Sequence, residues 1–336
     1  MRLKLRKLED QVIVITGASS GIGLATARLA GRRGARVILV ARGEEALARA
    51  LAKVRADGGA GITVAADVSR EGDMVRVADR AREEFGRFDT WINGAAVAIY
   101  GRLDEVPLAD MRRLFDTNFW GMVHGSLAAL PELRRRGGAL INIGSMLSDL
   151  AIPLQGPYSA SKHAVKAWTA SLRMELEQDG APVSVTLVKP GAIDTPYYEH
   201  ARNFMDRAPT PPPPVYAPEA VARAILTCAE RPTREIVVGG GARALLAGAD
   251  FAPGLSERIM ERTMFEAQKA DRPAGRRPDN LYGPADPSAR ERGRYSGHVL
   301  ERSLYTAAAL HPARTAFAAA GIGIAVAAGM RAMRDR

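Results

Sequence analysis

From Gln11 onward, short runs of apolar and β-branched residues alternate with longer stretches whose apolar residues recur at helical spacing. Val12 to Ile15, Val37 to Val40, Ile62 to Ala65, Thr90 to Ile92, Ala139 to Ile143, Val183 to Val188 and Ile236 to Val238 read as strands. Most are continuously apolar, the pattern of strands covered on both faces by helices. Strands alternating with helical stretches form βαβ units, and these build a parallel sheet. The pattern predicts an α/β fold in residues 1–240, a doubly wound parallel sheet of about seven strands.

After Gly241 the strand pattern stops. Ala242 to Gly248 and Gly254 to Lys269 read as helices, residues 271–294 are dense in Pro, Gly, Arg and Asp without periodicity, and a last helical segment begins near Gly297. Residues 241–336 are therefore expected to be a helical C-terminal extension, with 271–294 as a linker or a surface-hugging loop. Within it, Thr315 to Met330 carries no charge and is flanked by Arg314, Arg331, Arg334 and Arg336. As a helix it would span about 24 Å, short of the about 30 Å of a bilayer's hydrocarbon core. Its small residues suit a soluble helix pair or subunit interface, the preferred reading, or membrane association, the alternative.

Composition narrows the class. With 47% apolar and 25% charged residues the chain is neither disordered nor fibrous. Cys228 is the sole cysteine, and no Cys/His cluster has zinc-ligand spacing, so neither a disulfide framework nor a metal site is expected. The basic start runs directly into Glu9 and Asp10 without an apolar segment, unlike a secretory signal, and a cytoplasmic protein is expected. A net charge of +10 would suggest nucleic acid as a partner. Only seven of the 47 basic residues are lysines, however, and they form no clustered stripe, which points to coding bias and to no nucleic-acid partner.

The candidate chemistry begins after the first strand, at Thr16-Gly17-Ala18-Ser19-Ser20-Gly21-Ile22-Gly23, which leads into an apolar-periodic helix. Glycines there let the backbone approach a pyrophosphate, and the helix N-terminus offers unsatisfied N–H groups to the anion. The spacing resembles the short-chain dehydrogenase/reductase family in its T-G-x-x-x-G-x-G form, which implies a Rossmann-type domain. The resemblance continues at Asp67-Val68, which matches the family's acidic residue near the adenine. It continues at Asn93-Gly94-Ala95-Ala96 in place of N-N-A-G, and then at Asn118, Ser145, Tyr158-Ser-Ala-Ser-Lys162 and Pro190-Gly191. It spans about Leu8 to Gly239, roughly seven-tenths of the chain. Gly94 departs from the motif's second asparagine, so that residue's contacts do not carry over.

The Tyr158/Lys162 spacing places both on one helical face, where an ammonium favours the phenolate form of a nearby phenol. The resemblance implies an oxidoreductase that interconverts a carbonyl and an alcohol. Tyr158 would be the general acid/base, Ser145 would hold the substrate oxygen, Lys162 would tune Tyr158 and bind the nicotinamide ribose, and Asn118 would support a proton-relay water. Gly17, Ser19, Ser20, Gly21, Ile22, Gly23, Asp67, Val68, Asn93, Pro190, Gly191 and Thr195 would contact the cofactor, with a lid over the substrate after Thr195. At the end of the second strand the chain reads Val40-Ala41-Arg42-Gly43, where an acid would select NAD. Arg42 can neutralise a 2′-phosphate, so NADP(H) is expected ahead of NAD(H), with Glu44 and Glu45 as opposing charges nearby. His163 adjoins Lys162 but lies off its face and reads as a packing residue. An apolar lid and extension favour a lipid-like, steroid-like or aromatic small molecule as substrate. A homo-oligomer is expected, and the rival reading is a nucleotide-binding regulator without turnover.

Overall fold

A computed structural model describes residues 3–275, 277–311 and Thr315. Seven parallel strands form the central sheet: β1 (Val12–Thr16), β2 (Arg36–Ala41), β3 (Ala60–Ala65), β4 (Thr90–Asn93), β5 (Gly138–Ile143), β6 (Val183–Pro190) and β7 (Glu235–Val238). Their order is β7-β6-β5-β4-β1-β2-β3, so the direction of winding reverses between β1 and β4. The predicted doubly wound α/β fold is thus present.

The alternation of side chains along each strand explains why the runs are apolar throughout. Ile13, Ile15, Val37 and Leu39 enter one core cluster, while Val12, Val14, Ile38 and Val40 enter another on the opposite face. The first face is covered by α1 (Gly21–Arg32) and α2 (Glu44–Ala56), together with the helix Pro218–Glu230. The second is covered by α3 (Glu71–Phe85) and the helices Gly121–Arg136 and Gly156–Gln178. In chain order, the helices after α3 are α4 (Leu108–Phe115), α5 (Gly121–Arg136), α6 (Gly156–Gln178) and α7 (Pro218–Glu230). A wide π-type turn at Asp116–Trp120 joins α4 to α5.

Buried polar side chains tie α5 and α6 to the sheet. The Trp91 indole N–H donates to Asn93 Oδ1 at 2.9 Å, and Asn93 Nδ2 donates to Asn142 Oδ1 and Ser126 Oγ, each at 2.9 Å. Asn142 Nδ2 then donates to Thr169 Oγ1 on α6 at 2.9 Å. Because each of these buried groups has a partner, the network sets where α6 sits on the sheet.

The extension folds back on this core. Helices α8 (Gly240–Phe251) and α9 (Pro253–Ala267) carry Ala242, Leu246 and Met260 into a cluster that also contains Tyr158. Residues 269–273 pair antiparallel with Arg207–Pro209, so the second expected helix stops short of Lys269. The segment read as helical from near Gly297 first pairs Val299 and Leu300 with Val215 and Tyr216. Its helix, α10 (Leu304–Leu310), begins only after Ser303 Oγ accepts the Thr306 N–H at 3.2 Å. Thr306 in turn accepts the Gly239 N–H at 3.0 Å and donates to Val237 O at 3.3 Å, so α10 seals the end of the edge strand β7. Among the described residues no helix is long and apolar enough to cross a membrane. The uncharged segment Thr315 to Met330 lies outside the described residues, except for Thr315.

Candidate active site

A cavity of roughly 300 Å³ opens along the C-terminal ends of the strands, where β1 and β4 part. In open α/β sheets this crevice is where ligands bind. Its floor at one end is the turn between β1 and α1. Gly17 has φ of +71°, and a Cβ there would fall 2.8 Å from Ala95 Cα; a Cβ on Gly23 would fall 2.2 Å from Gly17 O. No other residue fits at either position, so the glycines let the turn pack against the chain after β4 and against itself. Gly17, Ser19, Ser20, Gly21, Ile22 and Gly23 all line the cavity.

Arg42, Asp67 and Val68 line the same end. Burial lowers the pKa of the Arg42 guanidinium; Asp67 raises it and Arg113 lowers it further. Burial pushes the Asp67 carboxyl up, but hydrogen bonds from Arg113 at 2.8 Å and from Ser69 more than reverse this. This end of the cavity thus holds two arginines around one carboxylate.

The other end is built by β5 and α6. Ser145 follows β5 and caps a short turn, its Oγ accepting the Leu147 N–H at 3.1 Å while the Ser148 hydroxyl accepts the Ser145 N–H at 3.1 Å. Tyr158 and Lys162 lie one turn apart on α6, with Lys162 Nζ 5.6 Å from the centre of the Tyr158 ring. Lys162 is 2% exposed and has no carboxylate partner among the described residues. Its ammonium donates to Ile143 O at 2.8 Å, and burial lowers its pKa to about 8. Burial also raises the Tyr158 pKa, and the nearby hydroxyls of Tyr197 and Ser145 pull it partly back. The Tyr197 ring meets Tyr158 edge-on at 5.7 Å, and its own hydroxyl is buried near that of Tyr158 without a hydrogen bond of good geometry among the described residues.

Pro190, Gly191 and Thr195 line the cavity between the two ends, and Thr195 faces Gly21. Two expected residues stand behind the walls. The Asn93 side chain is committed to the core network described above. Both polar atoms of the Asn118 amide are engaged: Oδ1 accepts the Val97 N–H at 2.8 Å, while Nδ2 donates to Val97 O at 3.0 Å and Ser161 Oγ at 3.3 Å. Asn118 sits in the π-type turn, which widens the helix so that its amide reaches Val97. His163 bonds the Ser159 carbonyl of its own helix at 2.9 Å.

Several lining residues carry no signal in the sequence. Met260 and Met264 of α9, with Leu245 of α8, cover the cavity beside Tyr158, and Asn280, Pro284, Ala285 and Asp286 close it at the Arg42 end. They come from stretches with no motif, so only their position in space marks them.

The comparisons agree with this geometry. The sequence profile of the short chain dehydrogenase family matches residues 11–206. An uncharacterized oxidoreductase, YxnA of Bacillus subtilis strain 168, is 47% identical over 324 residues, covering 96% of this chain and 91% of that protein. An 11-beta-hydroxysteroid dehydrogenase A of Sesamum indicum is 32% identical over 272 residues, covering 78% of this chain and 77% of that protein. Among solved structures, a short chain dehydrogenase/reductase from Burkholderia phymatum in complex with NAD superposes with a TM-score of 0.68. It is 27% identical, and the match covers 75% of this chain and 97% of that one. The crevice at the strand ends, its glycine turn and the profile that spans both belong together: the chain is a member of the short-chain dehydrogenase family of oxidoreductases.

Proposed function

We propose that the protein interconverts an apolar carbonyl compound and its alcohol, with NADP(H) as cofactor and Tyr158 as the general acid/base. The observation that carries this reading is the grouping of the Tyr158 and Ser145 hydroxyls with the buried, carboxylate-free ammonium of Lys162, at the junction of a glycine-floored groove and an apolar cavity. The residues fit a dinucleotide. The glycine turn brings the backbone of the α1 N-terminus to the cavity wall, where the Gly21 N–H, bonded to the Arg290 carbonyl at 2.9 Å, would exchange that carbonyl for a pyrophosphate oxygen, and Lys162 is a buried cation on the same wall. The cofactor, when bound, supplies or removes the hydride at the substrate carbon.

The remaining work falls to the chain. In reduction Tyr158 gives its proton to the developing alkoxide, and Ser145 holds that oxygen with a hydrogen bond that strengthens as charge grows. Lys162 offsets the cost of burying the negative phenolate that Tyr158 then becomes. In oxidation the phenolate takes the proton back. Methionines and the apolar residues of α8 and α9 favour a hydrophobic substrate, and the likeness to a hydroxysteroid dehydrogenase supports a steroid-like or similar lipid skeleton. Assaying the purified protein with NADPH against a panel of apolar ketones and aldehydes, beside sugars, tests the class; turnover confined to sugars refutes it.

The two directions should respond oppositely to pH. Reduction needs the phenol, so its kcat/KM stays level at low pH and falls as Tyr158 loses its proton; oxidation needs the phenolate and rises over the same interval. Burial holds the Tyr158 phenol above the ordinary tyrosine pKa of about 10, so measuring both from about pH 8 to beyond 10 checks the sign, and parallel profiles exclude Tyr158 as the shared group.

NADP(H) rests on Arg42, which stands at the end of β2 without a carboxylate on that strand. The NAD complex of the Burkholderia protein makes NAD(H) the alternative. Arg42→Asp should reverse the NADPH:NADH preference by about a hundredfold or more, because a 2′-phosphate loses one charge-assisted partner and gains a repelling one. The ratio of the two affinities is the readout; an unchanged ratio removes Arg42 from cofactor selection.

A further inference from the structure

Residues 279–294 lie outside the stretch matched by the family profile, yet they cross the mouth of the nucleotide groove. On the side of β2, the Arg42 guanidinium donates to the carbonyls of Asn280, Gly283 (3.1 Å) and Leu281 (3.4 Å). Beside it, Arg113 Nε on α4 donates to the same Leu281 carbonyl at 3.1 Å, and the Tyr282 hydroxyl donates to Asp110 at 2.7 Å. The segment is thus pinned over the Arg42 end of the groove both by the residue that follows β2 and by α4. Leu281 is fully buried there.

Further along, Pro284, Ala285 and Asp286 line the groove. The Arg290 carbonyl accepts the Gly21 N–H, the first of α1, at 2.9 Å, and Arg290 pairs with Glu199 of the lid at 3.1 Å. Glu291 pairs with Arg28 of α1 and, at 3.4 Å, with Lys53 of α2. A dinucleotide laid from the adenosine end near Arg42 to Tyr158 would run beneath this chain.

We infer that residues 279–294 form a strap which closes the outer wall of the dinucleotide site, with the Glu291 ion pairs as its latch, so that the strap must lift before the cofactor can leave. The inference rests on the oxidoreductase reading above. Its physical basis is the division of contacts. Arg42 and Arg113 hold the strap through neutral carbonyls, contacts that can be exchanged for water or for cofactor oxygens. Ion pairs hold it elsewhere: Asp279 with Arg202, Arg290 with Glu199, Arg292 with Glu219, and Glu291 with both Arg28 and Lys53. The Glu291 pairs join the strap to α1 and α2, so lifting it requires them to yield as well. Cofactor exchange becomes slow, because the nucleotide oxidised or reduced in one turnover is replaced only when the latch yields.

The test is the rate at which bound NADPH, followed by its fluorescence, is displaced by excess NADP. Glu291→Lys sets a positive charge against Arg28 and Lys53 and should speed release at least tenfold while the secondary-structure signal stays unchanged. A second variant locks the strap instead. A Cβ on Gly43 would sit 3.2 Å from Pro284 Cβ, a little inside the about 3.5–4.5 Å of disulfides. Cys228 is fully buried and does not compete for the new thiols. In Gly43→Cys/Pro284→Cys the oxidised form should release NADPH at least tenfold more slowly than the same protein after reduction. If both variants bind NADPH but release it at the wild-type rate, in either redox state, the strap inference is overturned and the oxidoreductase reading stands. If the wild-type protein binds neither NADPH nor NADH, that reading fails and the strap falls with it.

Discussion

Tyr158→Phe should lower turnover in both directions by roughly 10²–10⁴-fold, the usual worth of a positioned acid/base, and leave NADPH affinity within about twofold. The structure makes this a clean substitution. The ring is retained, so the edge-on contact with Tyr197 at 5.7 Å and the packing against α8 and α9 persist. The hydroxyl is not part of the core networks; its neighbours are Ser145 and Tyr197, both facing the cavity. Stability should be unaffected or slightly raised. Steady-state kinetics with an accepted substrate, beside a fluorescence titration with NADPH, decides the matter. A rate above about a tenth of wild type assigns proton transfer to another group, and the hydroxyl of Tyr197 is the first to examine.

Ser145→Ala should cost about a hundredfold to a thousandfold in kcat, as for loss of one oxyanion donor worth about 3 kcal/mol. Here the structure adds a second, smaller effect. Ser145 Oγ accepts the Leu147 N–H at 3.1 Å, so alanine also removes a cap and should lower stability by about 1 kcal/mol. The two are separated by measuring both kcat and the denaturation midpoint. A shift in the midpoint with a near-normal kcat would leave Ser145 as a turn residue only. A fall in kcat with unchanged KM for NADPH would place its role at the substrate oxygen.

Much of this site was legible in the chain because its chemistry is local. The glycine turn depends on near-neighbour sterics, and the carbonyl of Gly17 excludes a side chain six residues later at Gly23. Tyr158 and Lys162 are one helical turn apart, so their shared face follows from periodicity alone. Asn93 and Asn118 show the limit. Both were visible as polar residues at suggestive places, but where an amide points is decided by its partners, and these are Trp91, Asn142 and Ser126 for one and Val97 for the other.

The sequence by itself determined the alternation of strands and helices, and with it the parallel sheet. It also marked the glycine turn of the groove by its spacing and the Tyr158 and Lys162 pair by helical periodicity, while Ser145 was marked by the family resemblance. Only the tertiary structure decided what covers that groove. Residues 280–286 and the methionines of α9 reach it from segments without motif or period, held by pairs such as Arg42 with Asn280 and Arg28 with Glu291 that lie more than 200 residues apart. The local pattern of either partner has no term for such a contact. It forms because buried guanidinium groups and main-chain carbonyls must find partners once the chain has collapsed.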